Sequence, residues 1–232
     1  MPTDDAPRCT VLSPTAAHPD GWVVHEEEVR RSRFMAVLAR VEQEEQAREV
    51  VATLRRRHHD SRHVCSAWIL GPDRGRMRSN DDGEPAGTAG VPMLEALALR
   101  ETGPGRADLT DVAAVVVRWF GGVKLGAGGL VRAYSDAVSR ALDEAVLLTR
   151  VRTARLEIPA PHAEAGRWQH ELELAGVPVT DARYGAEGVT LIADVPDSPA
   201  RVAAAHAAVA RISGGTAQAQ PAGHGWTDLP AS

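Results

Sequence analysis

The stretch Arg118-Trp119-Phe120-Gly121-Gly122-Val123-Lys124-Leu125-Gly126-Ala127-Gly128-Gly129-Leu130-Val131-Arg132-Ala133-Tyr134 decides how the first half of the chain is read. It extends a continuous apolar run rich in β-branched residues, Val112–Val117, which reads as a strand buried on both faces. It leads into Leu130, Tyr134, Val138, Ala141 and Leu142, the buried stripe of a helix. Five glycines, Gly121, Gly122, Gly126, Gly128 and Gly129, lie between strand and stripe. Glycines let backbone N–H groups point into one concavity, and a helix start adds roughly half a positive charge. Lys124 and Arg132 would add a mobile and a bidentate cation. The pattern suits phosphate or another anion, although the same glycines would also permit tight strand-to-helix packing. It is neither a Walker A loop nor a dinucleotide fingerprint.

Upstream lies a second glycine-rich segment, Ser79-Asn80-Asp81-Asp82-Gly83-Glu84-Pro85-Ala86-Gly87-Thr88-Ala89-Gly90. Such a composition makes neither helix nor strand interior; it predicts an elaborated loop ending at a helix N-terminus. Asp81, Asp82 and Glu84 would there accept backbone N–H bonds and meet the positive end of the helix dipole. Alternatively they would hold a hard divalent cation beside a phosphate. Bracing is the expected role, because the spacing matches no known cation cage. No metal and no cofactor is expected. His58, His59 and His63 lack a partner motif and read as a solvated basic edge.

Working outward, Trp22–Glu28 and Arg33–Val41 read as adjacent strands with a turn at Arg30–Ser32. Ala47, Val50, Val51 and Leu54 make an amphipathic helix ending in the basic run Arg55, Arg56 and Arg57. His63–Leu70 is a strand, with Arg76–Ser79 pairing back, and Pro92 marks the first turn of the next helix. From residue 151 the rhythm becomes strand, helix, hairpin, helix, strand, with Ser198 and Pro199 opening the last helix. That order is the ferredoxin-like βαββαβ pattern. The expected organisation is a disordered tail over 1–20, a first domain over 21–148, a ferredoxin-like domain over 151–220 and a loose tail over 221–232.

With 232 residues, 44 % hydrophobic and 25 % charged, the composition is that of a soluble globular protein. The first 20 residues hold no apolar core of a secretory signal and no run is long enough to span a bilayer, so a cytoplasmic protein without a membrane partner is expected. Cys9 and Cys65 make no disulfide framework, and Cys65 reads as a small buried hydrophobe. The net charge of −5, with 20 basic and 22 acidic residues before residue 151 and 6 and 9 after it, gives neither half a basic character. Polyanion binding must therefore come from local clusters. Of the 26 basic residues only Lys124 is a lysine, and it stands inside the glycine-rich segment.

The two segments, spaced as they are, resemble the hallmark of the IMPACT family of YigZ-like proteins. Asp81–Leu94 follows its DDGEPxGTAGxPML pattern, and Arg118–Tyr134 follows R-[YW]-FGGxKLGxGGLxRAY. Ser32-Arg33-Phe34 and Arg62-His63, with Cys65, extend the likeness, which spans roughly residues 20–145. Trp119 stands where tyrosine is common, and Val64 where asparagine is.

The resemblance implies an α+β protein. Its N-terminal part would be a two-layer α/β domain like the second domain of a small-subunit ribosomal protein, with helices on one face of the sheet. A C-terminal ferredoxin-like domain would follow. The same superfold houses small-molecule kinases, but no catalytic activity carries over and no catalytic residue is assigned. Eukaryotic relatives restrain a kinase of translation initiation through an extra N-terminal domain, for which Met1–Gly21 is too short. What carries over is an association with translation. The expected partner is RNA or the ribosome, met by Lys124, Arg132, Arg118, Arg62 and His63, by Arg55–Arg57, and by the glycines, with Trp119 and Phe120 stacking on bases. A phosphate- or nucleotide-binding enzyme and an adaptor for a protein of the translation machinery are the alternatives.

Overall fold

The computed structural model describes residues 5–14 and 20–230. The chain divides into two compact units, one built on Cys9–Thr149 and the other on Arg150–Leu229. In chain order the elements are β1 (Arg8–Leu12), β2 (Val23–Val29), β3 (Ser32–Arg40), α1 (Glu44–Arg57), β4 (His63–Leu70) and β5 (Arg76–Asn80). There follow α2 (Gly90–Ala98), β6 (Val112–Trp119), α3 (Ala127–Glu144), β7 (Leu147–Ala160) and α4 (Ala165–Leu174). The last elements are β8 (Val179–Tyr184), β9 (Val189–Pro196), α5 (Pro199–Ile212) and β10 (Gln220–Pro230). The protein is α+β.

In the first unit an antiparallel sheet runs in the order β2-β3-β6-β4-β5. Val29 pairs with Ser32, leaving Arg30 and Arg31 as a two-residue hairpin loop with φ of 48° and 68°. Positive φ at both positions gives the turn the twist of its strands, a conformation that arginine seldom adopts. β6 is the central strand, and its alternation explains its unbroken apolar run. Val112, Ala114 and Val116 enter a core with Met93 and Leu97 of α2 and Leu130, Tyr134 and Val138 of α3. Ala113, Val115 and Val117 enter a second core with Ala47, Val50 and Leu54 of α1. The sheet with α2 and α3 forms the two layers expected. α1 adds a layer on the opposite face, where helices on one face only were expected, because its apolar stripe needs cover as much as theirs does.

In the second unit β10, β7, β9 and β8 lie side by side, the strand order of a ferredoxin-like βαββαβ fold. Leu156, Ile158, Leu191, Ala193 and Val195 of the sheet pack against Trp168 and Leu172 of α4 and Val209 and Ile212 of α5. Ser198 caps α5 by accepting the Arg201 N–H at 3.4 Å, with Pro199 in the first turn.

Both expected tails need correction. Residues 8–12 form β1, with Cys9, Val11 and Leu12 buried, an apolar patch too short to stand out among the surrounding prolines and aspartates. Residues 1–4 and 15–19 of that expected tail lie outside the described residues. At the other end, β10 occupies 220–230 where a loose tail over 221–232 was expected; residues 231 and 232 lie outside the described residues. Gln220–Pro230 is mostly exposed and has no apolar alternation, so only its backbone pairing with β7 makes it a strand. Among the described residues no helix is long and apolar enough to cross a membrane.

Candidate functional site

The strand-to-helix turn after β6 is held by close backbone approach. The Gly121 N–H donates to Ser32 Oγ at 3.2 Å, and a Cβ on residue 121 would stand 1.8 Å from the Arg31 carbonyl oxygen. Gly122 continues the turn. Gly126, with φ of 74°, is the residue before α3 and brings no side-chain acceptor to its start. The first-turn N–H groups of Ala127, Gly128 and Gly129 are thus left for an outside partner, at the positive end of an 18-residue helix.

Each carboxylate of the acidic loop has an internal partner. Asp81 Oδ1 accepts the N–H groups of Ala89 and Gly90 at 3.0 and 2.7 Å, and its Oδ2 that of Gly87 at 2.8 Å. Burial opposes ionisation of Asp81, but these three backbone bonds outweigh it and hold the carboxyl below the ordinary aspartate range. Asp81 therefore starts α2, in place of an N-cap side chain. Asp82, at φ of 45°, accepts the Val64 N–H at 2.6 Å and the Arg55 guanidinium at 2.7 Å. Among the described residues no group of three or more His, Cys, Asp or Glu side chains is placed to hold a metal ion.

Glu84 is the third carboxylate and only 8 % exposed. Its Oε1 accepts from Arg118 Nη1 and from the Tyr134 hydroxyl, the latter at 2.8 Å. Arg118, only 5 % exposed, reaches Ser32 Oγ at 3.5 Å through Nη2, while its buried Nε has no partner. His63 Nδ1 donates to the Asp82 carbonyl at 2.9 Å, and its Nε2 lies 3.8 Å from Glu84 Oε1. The Cys65 thiol donates to the Asp81 carbonyl at 3.1 Å and lies 3.4 Å from the Tyr134 hydroxyl. Burial pushes that thiol up to about 12 and pushes the Tyr134 hydroxyl upward as well. Both groups stay protonated and braced, so neither is a poised nucleophile.

A cavity of about 450 Å³ opens over this network. Its charged lining is Arg62, His63, Glu84, Arg118 and Lys124, with Phe120 and the start of α3 completing the wall. Arg118 and Glu84 neutralise each other. Arg62 and Lys124 are exposed, and neither has an ion-pair partner among the described residues. The arrangement can bind an anion: two available cations face a helix start with unspent N–H groups.

The two glycine-rich segments do meet here, and the cavity joins Arg62, His63, Glu84, Arg118, Lys124 and Gly126 from the sequence-derived candidates. Others lie elsewhere. Trp119 alternates to the face opposite Arg118; its Nε1 donates to Asp60 at 2.9 Å, the Arg33 guanidinium stacks 3.7 Å from its ring, and His58 packs edge-on. It is not beside Phe120 as a base-stacking pair. Arg132 sits on the exposed face of α3, outside the cavity. Arg55 is spent on Asp82, and Arg57 pairs with Asp20 at 2.5 Å. Pro85, Leu125 and Ala127 also line the cavity without a chemical signature in the sequence, and Leu130, expected in the buried stripe of the helix, lines it too.

The family model of the Impact N-terminal domain matches residues 30–142. "IMPACT family member YvyE" of Bacillus subtilis is 41 % identical over 148 residues, covering 64 % of this chain. The match spans 65 % of that relative, just under two thirds of its length. "IMPACT family member in pol 5'region" of Thermus thermophilus is 36 % identical over 168 residues, 72 % of this chain and 86 % of that protein. A crystal structure described only as that of a hypothetical protein superposes with a TM-score of 0.61 at 31 % identity, covering 93 % of this chain and 98 % of that one. With both signature segments built into one cavity and a relative matched over most of its length, the chain belongs to the IMPACT family.

Proposed function

We propose that this protein acts in association with translation by binding RNA or the ribosome through the cavity at the start of α3. One observation carries the reading. Arg62 and Lys124, without an ion-pair partner among the described residues, line the same cavity as a helix N-terminus whose first N–H groups have no acceptor among those residues. Phosphate is the anion that such a set of donors fits, and Phe120, 42 % exposed on the rim, offers a face for a base. Family membership supports the translation setting. Cys65 and Tyr134 are both held protonated by burial, so neither offers the enzymatic alternative an activated nucleophile.

The test is ribosome co-sedimentation over a salt series with the parent, an Arg62→Ala, Lys124→Ala double variant and Arg132→Ala. Binding should fall steeply with salt in the parent, drop in the double variant and persist in Arg132→Ala. Binding that ignores salt and survives loss of both cations rules the reading out.

A further inference from the structure

We propose that the group seated in the cavity is the terminal phosphomonoester of a single-stranded RNA rather than an internal phosphodiester. The inference rests on the RNA reading above and deepens it.

The first argument is charge. Inside the cavity Glu84 and Arg118 cancel, leaving Arg62 and Lys124 as two side-chain cations, with the α3 dipole added. A phosphomonoester carries about −1.5 to −2 at neutral pH, whereas an internal diester carries a single charge. The ligand that balances the site is the monoester.

The second argument is the donor count. Ala127, Gly128 and Gly129 present the N–H groups of one helix start, with Lys124 and Arg62 beside them. A monoester brings three terminal oxygens to such a cluster, where a diester brings two and must keep both chain directions open. Arg118, 5 % exposed, lines the same cavity, and its Nε has no partner among the described residues.

The third argument is where positive charge is not available. A strand running through would need further cations along its path. Yet Arg55 is tied to Asp82, Arg57 to Asp20 and Arg33 is stacked on Trp119, and the exposed Arg30, Arg31, Arg56 and Arg132 do not line the cavity. The two available cations both line the cavity, whose volume of about 450 Å³ is in the range of small-ligand sites. A terminal nucleotide, its phosphate on α3 and its base against Phe120, fits both facts.

Fluorescence anisotropy with one single-stranded RNA sequence in three forms, 5′-phosphorylated, 3′-phosphorylated and hydroxyl at both ends, tests this on the full chain. A phosphorylated end should bind about tenfold tighter than the hydroxyl-ended control, and the two phosphorylated arms tell which end is taken. Lys124→Ala and Arg62→Ala, checked for folding by urea denaturation, should each abolish the preference, and Arg132→Ala should keep it. Equal affinity for all three forms overturns end recognition while leaving the RNA reading standing. No binding of any form overturns both. A preference that survives Lys124→Ala and Arg62→Ala places the end elsewhere and overturns the assignment to this cavity.

Discussion

Tyr134 of α3 donates its hydroxyl hydrogen to Oε1 of Glu84, the same oxygen that Arg118 of β6 holds. One carboxylate thus ties the acidic loop, the central strand and the helix after the second glycine segment into a single floor under the cavity. The tie is buried, so its strength depends on all three members being present.

Glu84→Gln should be among the most destabilising single changes, because it leaves the Arg118 guanidinium buried without its counter-charge. A cost of about 3–5 kcal/mol is expected from urea unfolding. Tyr134→Phe, which removes one hydrogen bond and keeps the ring stacked edge-on against Phe34, should cost about 1 kcal/mol. Equal costs for the two would contradict the hierarchy.

Gly121→Ala should cost about 3 kcal/mol, since the new Cβ would sit 1.8 Å from the Arg31 carbonyl and the hairpin backbone must shift. Gly128→Ala is the contrast: its Cβ meets nothing within 4 Å, so the change should be neutral or stabilise α3 by up to about 1 kcal/mol. Thermal unfolding of the pair checks both signs.

Asp81 is held below the ordinary aspartate range, so its folded form binds its proton more weakly than the unfolded chain does. Its contribution is fully present above the unfolded value, near pH 4, and is lost as pH falls through the lower folded value. Asp81→Asn should therefore cost about 1–2 kcal/mol at pH 7 and show a shallower acid unfolding profile than the parent. An unchanged profile would refute the capping role.

Burial raises the Cys65 thiol to about 12, the opposite case. Its contribution to stability is complete below the ordinary thiol value and fades as pH rises toward 12. Cys9 is buried too. Neither cysteine should react with a thiol reagent at pH 8 until the chain is unfolded in denaturant; rapid labelling of Cys65 in the native protein would show that the floor of the cavity opens.

Trp119→Phe removes the bond to Asp60 and weakens the stack with Arg33, at a cost of about 1 kcal/mol in stability. Because Trp119 faces away from the cavity, RNA affinity should not change. Phe120→Ala, on the rim, should weaken it.

Much of this was legible in the chain because it is local. The unbroken apolar run Val112–Val117 told of a strand covered on both sides, and the glycine run told of a strand-to-helix turn that permits close backbone approach. The stripe of α3 and the Ser198–Pro199 start of α5 likewise depend on near neighbours in sequence. β10 was not legible, since a strand held by backbone pairing need have no side-chain pattern. The side taken by Trp119 follows from the two-residue period of β6, which sets it opposite Arg118 and away from Phe120's rim.

The sequence by itself determined that Asp81–Gly90 and Gly121–Gly129 are loops leading into helices, because their composition suits neither helix nor strand interior, and it showed which charged residues they carry. Only the tertiary structure decided which of those charges remain available. Antiparallel pairing of β4 and β6 sets His63 beside Arg118, and the loop after β5 returns Glu84 between them. Asp81, Asp82 and Glu84 are thereby consumed by backbone N–H groups, Arg55, Arg118 and Tyr134 from distant parts of the chain, while Lys124 and Arg62 keep their charge for a ligand. Long-range pairing of ions follows from which strands neighbour one another, and no local stretch of residues contains that information.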